Sequence, residues 1–425
     1  MSFRRRLWPQ HGLWQHADFL KLWSAQTISQ VGSQISGLVL PLVALLTLHA
    51  SAFEVAALSV VDFLPFLLFT LPAGVWVDRL PRRPIMVIAD VGRALALASV
   101  PVAVFVGDLT LSQLYVVGFA TGTLTVFFEV AYQSYLPSVV ERSELLEGNA
   151  KLETTRSLAL TGGPALGGVL VHALTAPHAV LVDAASFLWS AVFVSSIRRN
   201  EDAPERSTAS PSMWRELTEG VRYIFGHRYW RAITVATAIY NFFNYVAFAI
   251  LVVYMVRRLH MSALAIGVTL SLSNCGALLA AFFAQRIGRR LGLGRAIVLA
   301  TFFGFPLVLV PLAPGSYPIP FIILAFTLEG FGGVLFTVST VSLIQALTPQ
   351  RLLGRANASR RFVVWGTIPL GGLVSGGLAS WIGLRPTLFV GTLGCALSAI
   401  PILLSPIRHV TALPTQSEEA VSNSA

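Results

Sequence analysis

Twelve runs of mostly apolar residues, each about 20 residues or longer, divide this chain of 425 residues. A helix rises 1.5 Å per residue, so about 20 residues cross the roughly 30 Å hydrocarbon core of a bilayer. The runs cover residues 19–47, 54–76, 84–106, 111–136, 155–173, 177–197, 230–256, 262–285, 293–313, 318–347, 358–382 and 385–404. Composition agrees, with 55% of residues hydrophobic and 12% charged, against about 25% charged in a soluble globular domain. That leaves too little polar surface to coat a water-soluble body of this size. A soluble enzyme, a disordered chain and a coiled coil are excluded, and an all-α integral membrane protein remains.

A formal net charge of +10 invites a nucleic-acid reading, but the placement of the charge points to a bilayer. Lys and Arg collect in the cytoplasmic loops of membrane proteins. Loops on one side hold 25 of the 30 basic residues, from Arg4 to Arg408, and loops on the other hold only Arg257, Arg258 and Arg385. Lys21 and Arg93 fall within spans or at their rims. This asymmetry places both termini in the cytoplasm and requires an even number of spans. The partners implied are lipid and a small molecule, not nucleic acid. The first run begins near Phe19 and is followed by no small-residue cleavage site, so it reads as a retained helix rather than a signal peptide. Cys275 and Cys395 lie singly in apolar runs, which indicates neither a disulfide framework nor a metal site.

The chain also repeats itself. Leu48-His49-Ala50-Ser51-Ala52 recurs as Leu259-His260-Met261-Ser262-Ala263, an offset of 211. Asp78 to Arg83 is echoed by Gln285 to Arg290 at 207, Gln133 and Pro137 by Gln345 and Pro349 at 212, and Pro164 by Pro369 at 205. The offsets keep one order and stay near half the chain length. Two pseudo-symmetric six-helix bundles follow, residues 1–197 and 230–404, with a linker over 198–229 and a polar tail over 405–425 expected to be disordered. Within the linker, Trp214, Leu217, Val221, Ile224 and Phe225 share one helical face opposite Arg215, Glu216, Glu219 and Arg222. That is the pattern of a helix lying on a membrane surface.

Two six-helix halves are the plan of the major facilitator superfamily, and two motifs resemble it. Gly74-Val75-Trp76-Val77-Asp78-Arg79-Leu80-Pro81-Arg82-Arg83 is similar to its signature Gly-x-x-x-Asp-Arg-x-Gly-Arg-Arg between helices two and three, with Pro81 in place of Gly. In that setting Gly74 permits close helix packing at the membrane edge, and Asp78 can pair with arginines or a helix N-terminus and latch the halves. Gly163-Pro164-Ala165-Leu166-Gly167-Gly168 resembles the end of the helix-five signature of exporting antiporters, although Ala159 stands where its first Gly belongs. Small residues there allow close helix contact, which ordinary packing would also use. Phe19, Leu22-Trp23, Gln26, Ser29-Gln30, Pro41, Pro65, Leu71, Ala89-Asp90 and Arg93 further resemble the branch holding macrolide efflux proteins and the enterobactin exporter.

Charges inside a bilayer cost at least about 2.5 to 3.5 kcal/mol each at a helix centre, so every one is a candidate functional group. The acids are Asp62, Asp90, Glu129, Asp183 and Glu329. Asp90 stands near the cytoplasmic end of the third run with Arg93 at i+3, a structural or gating pair. Asp62 and Asp183 lie toward the outer halves of their runs, where gate and packing roles both fit. Glu129 is near mid-span in the fourth run, and Glu329 sits nearer the outer half of the tenth. A carboxyl exposed alternately to a dry cavity and to water can bind a proton in one state and release it in the other. In the superfamily, helices one, four, seven and ten line the cavity, so the resemblance makes Glu129 and Glu329 coupling or cation-recognition groups. Gln26, Gln30 and Gln34 with Ser29 and Ser33 form a polar stripe on the first run, and Asn241 and Asn244 answer it in the seventh. Tyr132, Tyr135, Phe127, Tyr240, Phe243 and Tyr245 can stack on an amphipathic substrate or simply pack.

The resemblance implies a secondary active exporter of amphipathic drugs or a secreted metabolite, driven by inward proton movement and working as a monomer in the cell membrane. A nutrient importer or proton symporter on the same fold, and a membrane sensor without transport, are the alternatives. Neither Lys follows a Gly, so no phosphate-binding Gly-Lys-Ser/Thr loop exists, and the scattered histidines form no His-Glu-x-x-His. An ATP-driven pump and a metallohydrolase are not supported, and no cofactor is expected.

Overall fold

A computed structural model describes residues 12–77, 79–141, 144–198, 213–348 and 350–410; Asp78, residues 199–212 of the linker and the tail from 411 lie outside the described residues. Among the described residues, twelve helical stretches are long and apolar enough to cross a membrane. The first six are the unbroken helices α1 Ala17–Leu46, α2 Ala52–Val77, α3 Arg82–Val106, α4 Leu111–Val139, α5 Leu145–Leu174 and α6 Ala176–Ser195. A short helix α7, Met213–Gly226, follows. In the second half, α14 Ile319–Leu347 and α15 Gln350–Ile382 are continuous. The other four spans are each made of two pieces: α8 Arg228–Phe248 with α9 Leu251–Arg257, α10 Ala263–Ser273 with α11 Cys275–Leu291, α12 Leu293–Phe302 with α13 Leu309–Leu312, and α16 Leu384–Ala396 with α17 Ala399–Leu403.

Two of these breaks have a local cause. A proline ring clashes with the carbonyl four residues earlier and lacks the N–H that would bond to it. Pro306 points back to Phe302, where α12 ends, and Pro401 points back to Leu397, just after α16. Hydroxyls bond backbone carbonyls beside both breaks: Thr301 Oγ1 donates to Val298 O at 2.7 Å and Ser398 Oγ donates to Cys395 O at 2.7 Å.

The repeat is present down to individual hydrogen bonds. His49 and His260 both adopt left-handed backbone, φ 53° and 51°. Ala50 N–H donates to Ala44 O at 2.9 Å, and Met261 N–H to Met255 O at 3.0 Å. Ser51 Oγ caps the next helix by accepting from Glu54 N–H at 3.3 Å, as Ser262 Oγ does from Ala265 N–H at 3.2 Å. Glu54 also reaches back to Ser51 N–H at 2.6 Å, completing a capping box that Ala265 cannot form. The turns after α5 and α15 match as well. Thr175 (φ 83°) stands where the second half has Gly383 (φ 88°). A β-branched residue in that region is strained, by about 1–3 kcal/mol. Thr175→Gly is therefore expected to raise the thermal unfolding midpoint in detergent; an unchanged or lower midpoint would show that the turn carries no strain. One echo does not hold by position. Arg289 and Arg290 lie in the last turn of α11, and the turn before α12 is made by Gly292 at φ 83°, because α11 runs on past the point where α2 stops.

The chain forms two compact units. One comprises residues 1–50, 61–207 and 262–271, and the other 51–60, 208–261 and 272–425. Relative to halves split at the linker, the start of the second span and the start of the eighth are exchanged, and 51–60 maps onto 262–271 at the repeat offset of 211. Small residues make the exchange possible. A Cβ on Gly168 would lie 2.6 Å from Ala263 O, and one on Gly267 2.2 Å from Pro164 O. In the other unit, a Cβ on Gly372 would meet Val60 at 2.5 Å, and one on Gly376 would meet Phe53 at 2.8 Å.

The linker helix α7 is seated on the start of α15. Gly220 has no side chain to hold them apart, since a Cβ there would be 2.7 Å from Arg355 O and 2.2 Å from Ser359 Oγ. Glu219 and Arg355 pair at 2.7 Å beside that contact, and Ile224 is fully buried. Gly220→Leu is expected to release α7, read as faster proteolysis near residue 220. Glu219→Ala, which removes an exposed pair worth about 0–1 kcal/mol, should leave it seated. Equal proteolysis of both variants would count against the glycine contact.

Candidate functional site

A cavity of about 170 Å³ lies within the second unit. Its walls come from α8 (Tyr240, Asn241), α14 (Glu329, Gly332, Gly333, Phe336) and the two proline-induced breaks (Thr301, Gly304, Ser398). Gly333 of α14 leaves space there, since a Cβ on it would meet nothing nearer than Glu329 Oε1 at 4.0 Å, and the broken spans present hydroxyls. Irregular backbone at membrane depth is tolerated where it lines such a cavity. Close helix approach supports the walls: a Cβ on Gly276 of α11 would lie 1.8 Å from Thr327 O of α14.

Glu329 is the cavity's acid. Tyr240 OH donates to Glu329 Oε1, and Asn244 Nδ2 donates to Tyr240 OH at 3.3 Å. This chain, Asn244 to Tyr240 to Glu329, fixes the hydroxyl as donor and aims the carboxyl into the cavity. Asn241 lines the same wall while donating to Val364 O of α15 at 3.3 Å. One acid among hydroxyls and aromatic rings, with no basic residue lining the cavity, suits a proton or an ammonium group.

The first unit gathers the other acids. Arg93 and Asp90 form an ion pair in which their side chains are 2% and 0% exposed. Arg93 also donates to Thr125 Oγ1 at 3.3 Å and lies over the rings of Phe187 and Phe128, 3.9 and 4.5 Å from their centroids. Asp183 and Glu129 are within electrostatic reach of the same guanidinium. From sequence, Asp90 is expected near the cytoplasmic end of the third run and Asp183 toward the outer half of the sixth. The structure brings them together because Arg93 is eleven residues into α3 and Asp183 twelve from the end of α6, depths of about 17 and 18 Å at 1.5 Å per residue. Ser186 Oγ donates to Asp183 Oδ1 at 2.9 Å. Asp62 is exposed and belongs to neither group; its carbonyl marks a tight crossing where a Cβ on Gly122 would be 2.4 Å away.

The α1 stripe divides. Gln26 and Ser29 are buried, at 8% and 4% exposure, while Gln30, Ser33 and Gln34 are half-buried. Ser33 Oγ donates to Ser29 O at 3.0 Å, and the Gln34 stem covers Gly163, whose Cβ would come within 2.3 Å of it. Much of the stripe is therefore used inside its own unit rather than presented to water. Of the six aromatic candidates only Tyr240 lines the cavity; Tyr135 is core, and Phe243 fills the space left by Gly394.

The signature loop is only partly visible. Arg83 donates to Ser195 O at the end of α6, capping that helix. Arg79 is exposed and Arg82 half-buried in the first turn of α3. Among the described residues, nothing lies within 4 Å of a Cβ on Gly74. On α5, Gly163 and Gly168 do make close approaches, and Gly167 lies against α1 (Cβ to Ile35 O 3.4 Å). Pro164 supplies the carbonyl that meets Gly267, and the next residue's N–H donates to Ser271 Oγ at 2.8 Å.

Twelve candidate membrane spans and the internal repeat are those of a multi-pass membrane transporter of the major facilitator fold. Residues 12–424 match the family model described as transmembrane secretion effector, and the chain belongs to that family. It is 26% identical over 373 residues to the multidrug efflux pump Tap of Mycolicibacterium fortuitum, covering 84% of this chain and 88% of that protein. It is 24% identical over 225 residues to macrolide efflux protein A of Streptococcus pyogenes, covering 53% and 55%. A mutant of the nucleoside transporter NupG shares the fold with a TM-score of 0.76 at 11% identity, over 91% of this chain and 99% of that one. A bacterial homologue of the iron transporter ferroportin does so with a TM-score of 0.73 at 16% identity, over 91% and 98%.

Proposed function

We propose that this protein is a proton-driven exporter of amphipathic small molecules, of the drug, macrolide or siderophore kind, in the cell membrane, acting as a monomer with both termini in the cytoplasm. The observation that carries the reading is Glu329: a single carboxyl, oriented by Tyr240, on the wall of a cavity that holds no countercharge. A proton and the ammonium group of an amphipathic amine are alternative occupants of such a carboxyl. Each therefore displaces the other, which is the chemical requirement for antiport. The efflux functions named for the relatives in M. fortuitum and S. pyogenes support the direction, and the 25-to-3 division of loop arginines and lysines supports the orientation.

The test uses purified protein in liposomes that enclose a pH-sensitive dye, with an imposed proton gradient and a panel of macrolides, other amphipathic amines and siderophores. Proton flux that appears only with substrate is expected. Substrate movement down its own gradient, with no proton flux for any compound, would refute antiport.

A further inference from the structure

The hydrogen-bond donors around the Glu329 cavity are already committed. Thr237 Oγ1 donates to Ile233 O, Thr301 Oγ1 to Val298 O and Ser398 Oγ to Cys395 O, each at 2.7 Å. A carbonyl only accepts, so each hydroxyl hydrogen is held by its own helix and lone pairs are what these side chains have left. Tyr240 OH is likewise given to Glu329, and one N–H of Asn241 to Val364 O. Among the lining side chains, at most the Thr337 hydroxyl and the second N–H of Asn241 remain as donors. The cavity therefore presents acceptors and a carboxyl, which suits a ligand that brings its own N–H groups.

Size sets a second limit, independent of the hydrogen bonds. The volume of about 170 Å³ is close to the roughly 150 Å³ in which a protein interior takes up one benzene ring. It falls below the about 300–1,000 Å³ of a site that buries a drug-sized molecule. Only one end of an amphipathic substrate fits. Thr301, Gly304 and Ser398 at the helix breaks are buried and form the floor, while Gly333 and Thr337 of α14 are exposed and form the mouth. Glu329 precedes Gly333 by four residues, so its carboxyl stands one helical turn from that mouth. Recognition of a quaternary ammonium relies on a cage of aromatic rings; here two rings, Tyr240 and Phe336, line the cavity among more numerous oxygen acceptors.

We propose that this cavity is the site of a primary ammonium end group: Glu329 supplies the countercharge, the lone pairs of Thr237, Thr301 and Ser398 are the acceptors open to its N–H groups, and the rest of the substrate stays outside, past Gly333. An ammonium without N–H leaves those acceptors unmet and binds more weakly. Among amphipathic amines, the site selects a primary-amine end over a dimethylamino or trimethylammonium one. That such molecules are exported rests on the proton-driven reading above; the preference in binding rests on the cavity alone.

tert-Butylammonium and tetramethylammonium test this, because the two ions share shape, size and charge and differ in carrying three N–H groups or none. Their binding to the full-length protein in detergent is read by calorimetric titration, with no gradient applied. The first is expected to bind at least about tenfold more tightly than the second. Thr301→Val combined with Ser398→Ala, which removes two acceptors, should narrow that ratio, and Glu329→Gln should weaken both ions. Monodisperse elution shows that the variants are folded, and Thr301→Val alone serves if the pair is not. Equal binding of the two ions, tighter binding of tetramethylammonium, no heat from either at millimolar concentration, or a ratio unchanged in the Thr301 and Ser398 variant overturns the proposal. If substrate drives no proton flux in liposomes while the preference persists, the antiport reading fails and this site stands.

Discussion

Glu329→Gln is expected to reduce proton-driven export at least about tenfold, the equivalent of about 1.4 kcal/mol in coupling, while leaving the protein folded. Gln keeps the shape of the side chain and can still accept from Tyr240 OH, so α8 and α14 stay joined. What it loses is exchangeable charge: it neither releases a proton to an arriving ammonium group nor attracts that group. Substrate carried down its own gradient should survive, because the hydroxyls and rings of the cavity remain. Tyr240→Phe should give a smaller loss, since the carboxyl remains but is no longer oriented. Full proton-driven export by Glu329→Gln would remove this cavity from the coupling step.

Arg93→Ala should be the most destabilising single change in the first unit. Breaking a buried ion pair by removing one partner costs about 3–5 kcal/mol, because the other charge is left uncompensated. Here the substitution also removes the guanidinium that lies over the rings of Phe128 and Phe187 and leaves Asp90 and Asp183 repelling each other. The pH dependence has a definite sign. Acid protonates the stranded carboxyls and relieves their repulsion, so the deficit of the variant should shrink as pH falls and grow as pH rises. Thermal unfolding in detergent across pH reads this. Asp90→Asn combined with Arg93→Gln should recover part of the loss, since both buried charges are then removed together. A deficit equal at every pH would make Arg93 a packing residue only.

The spans were legible because a bilayer demands about 20 apolar residues, and the repeat was legible because Leu48 to Ala52 and Leu259 to Ala263 build the same turn. The broken spans were not, because no charged residue stands at any of the four breaks. Pro306 and Pro401 carried the signal for two of them, and counting back four residues from each would have found the cavity wall. Glu329 stood out as a charge, but its partner Tyr240 is 89 residues away and joins it only through the packing of α8 on α14. Arg93 with Asp90 was readable at i+3. Asp183 was not, since its depth depends on where α6 ends. The exchanged segments 51–60 and 262–271 depend on glycines that meet backbone in another helix, a contact that no local pattern records.

The central claim is that substrate and proton exchange at Glu329. Its most direct measurement is proton release on substrate binding, made on detergent-purified protein in weakly buffered solution with an amphipathic amine from the liposome panel. Wild type should release a proton as the amine binds, and Glu329→Gln should bind more weakly and release none through this carboxyl. Equal proton release by wild type and Glu329→Gln would place the exchange elsewhere in the molecule and contradict the account.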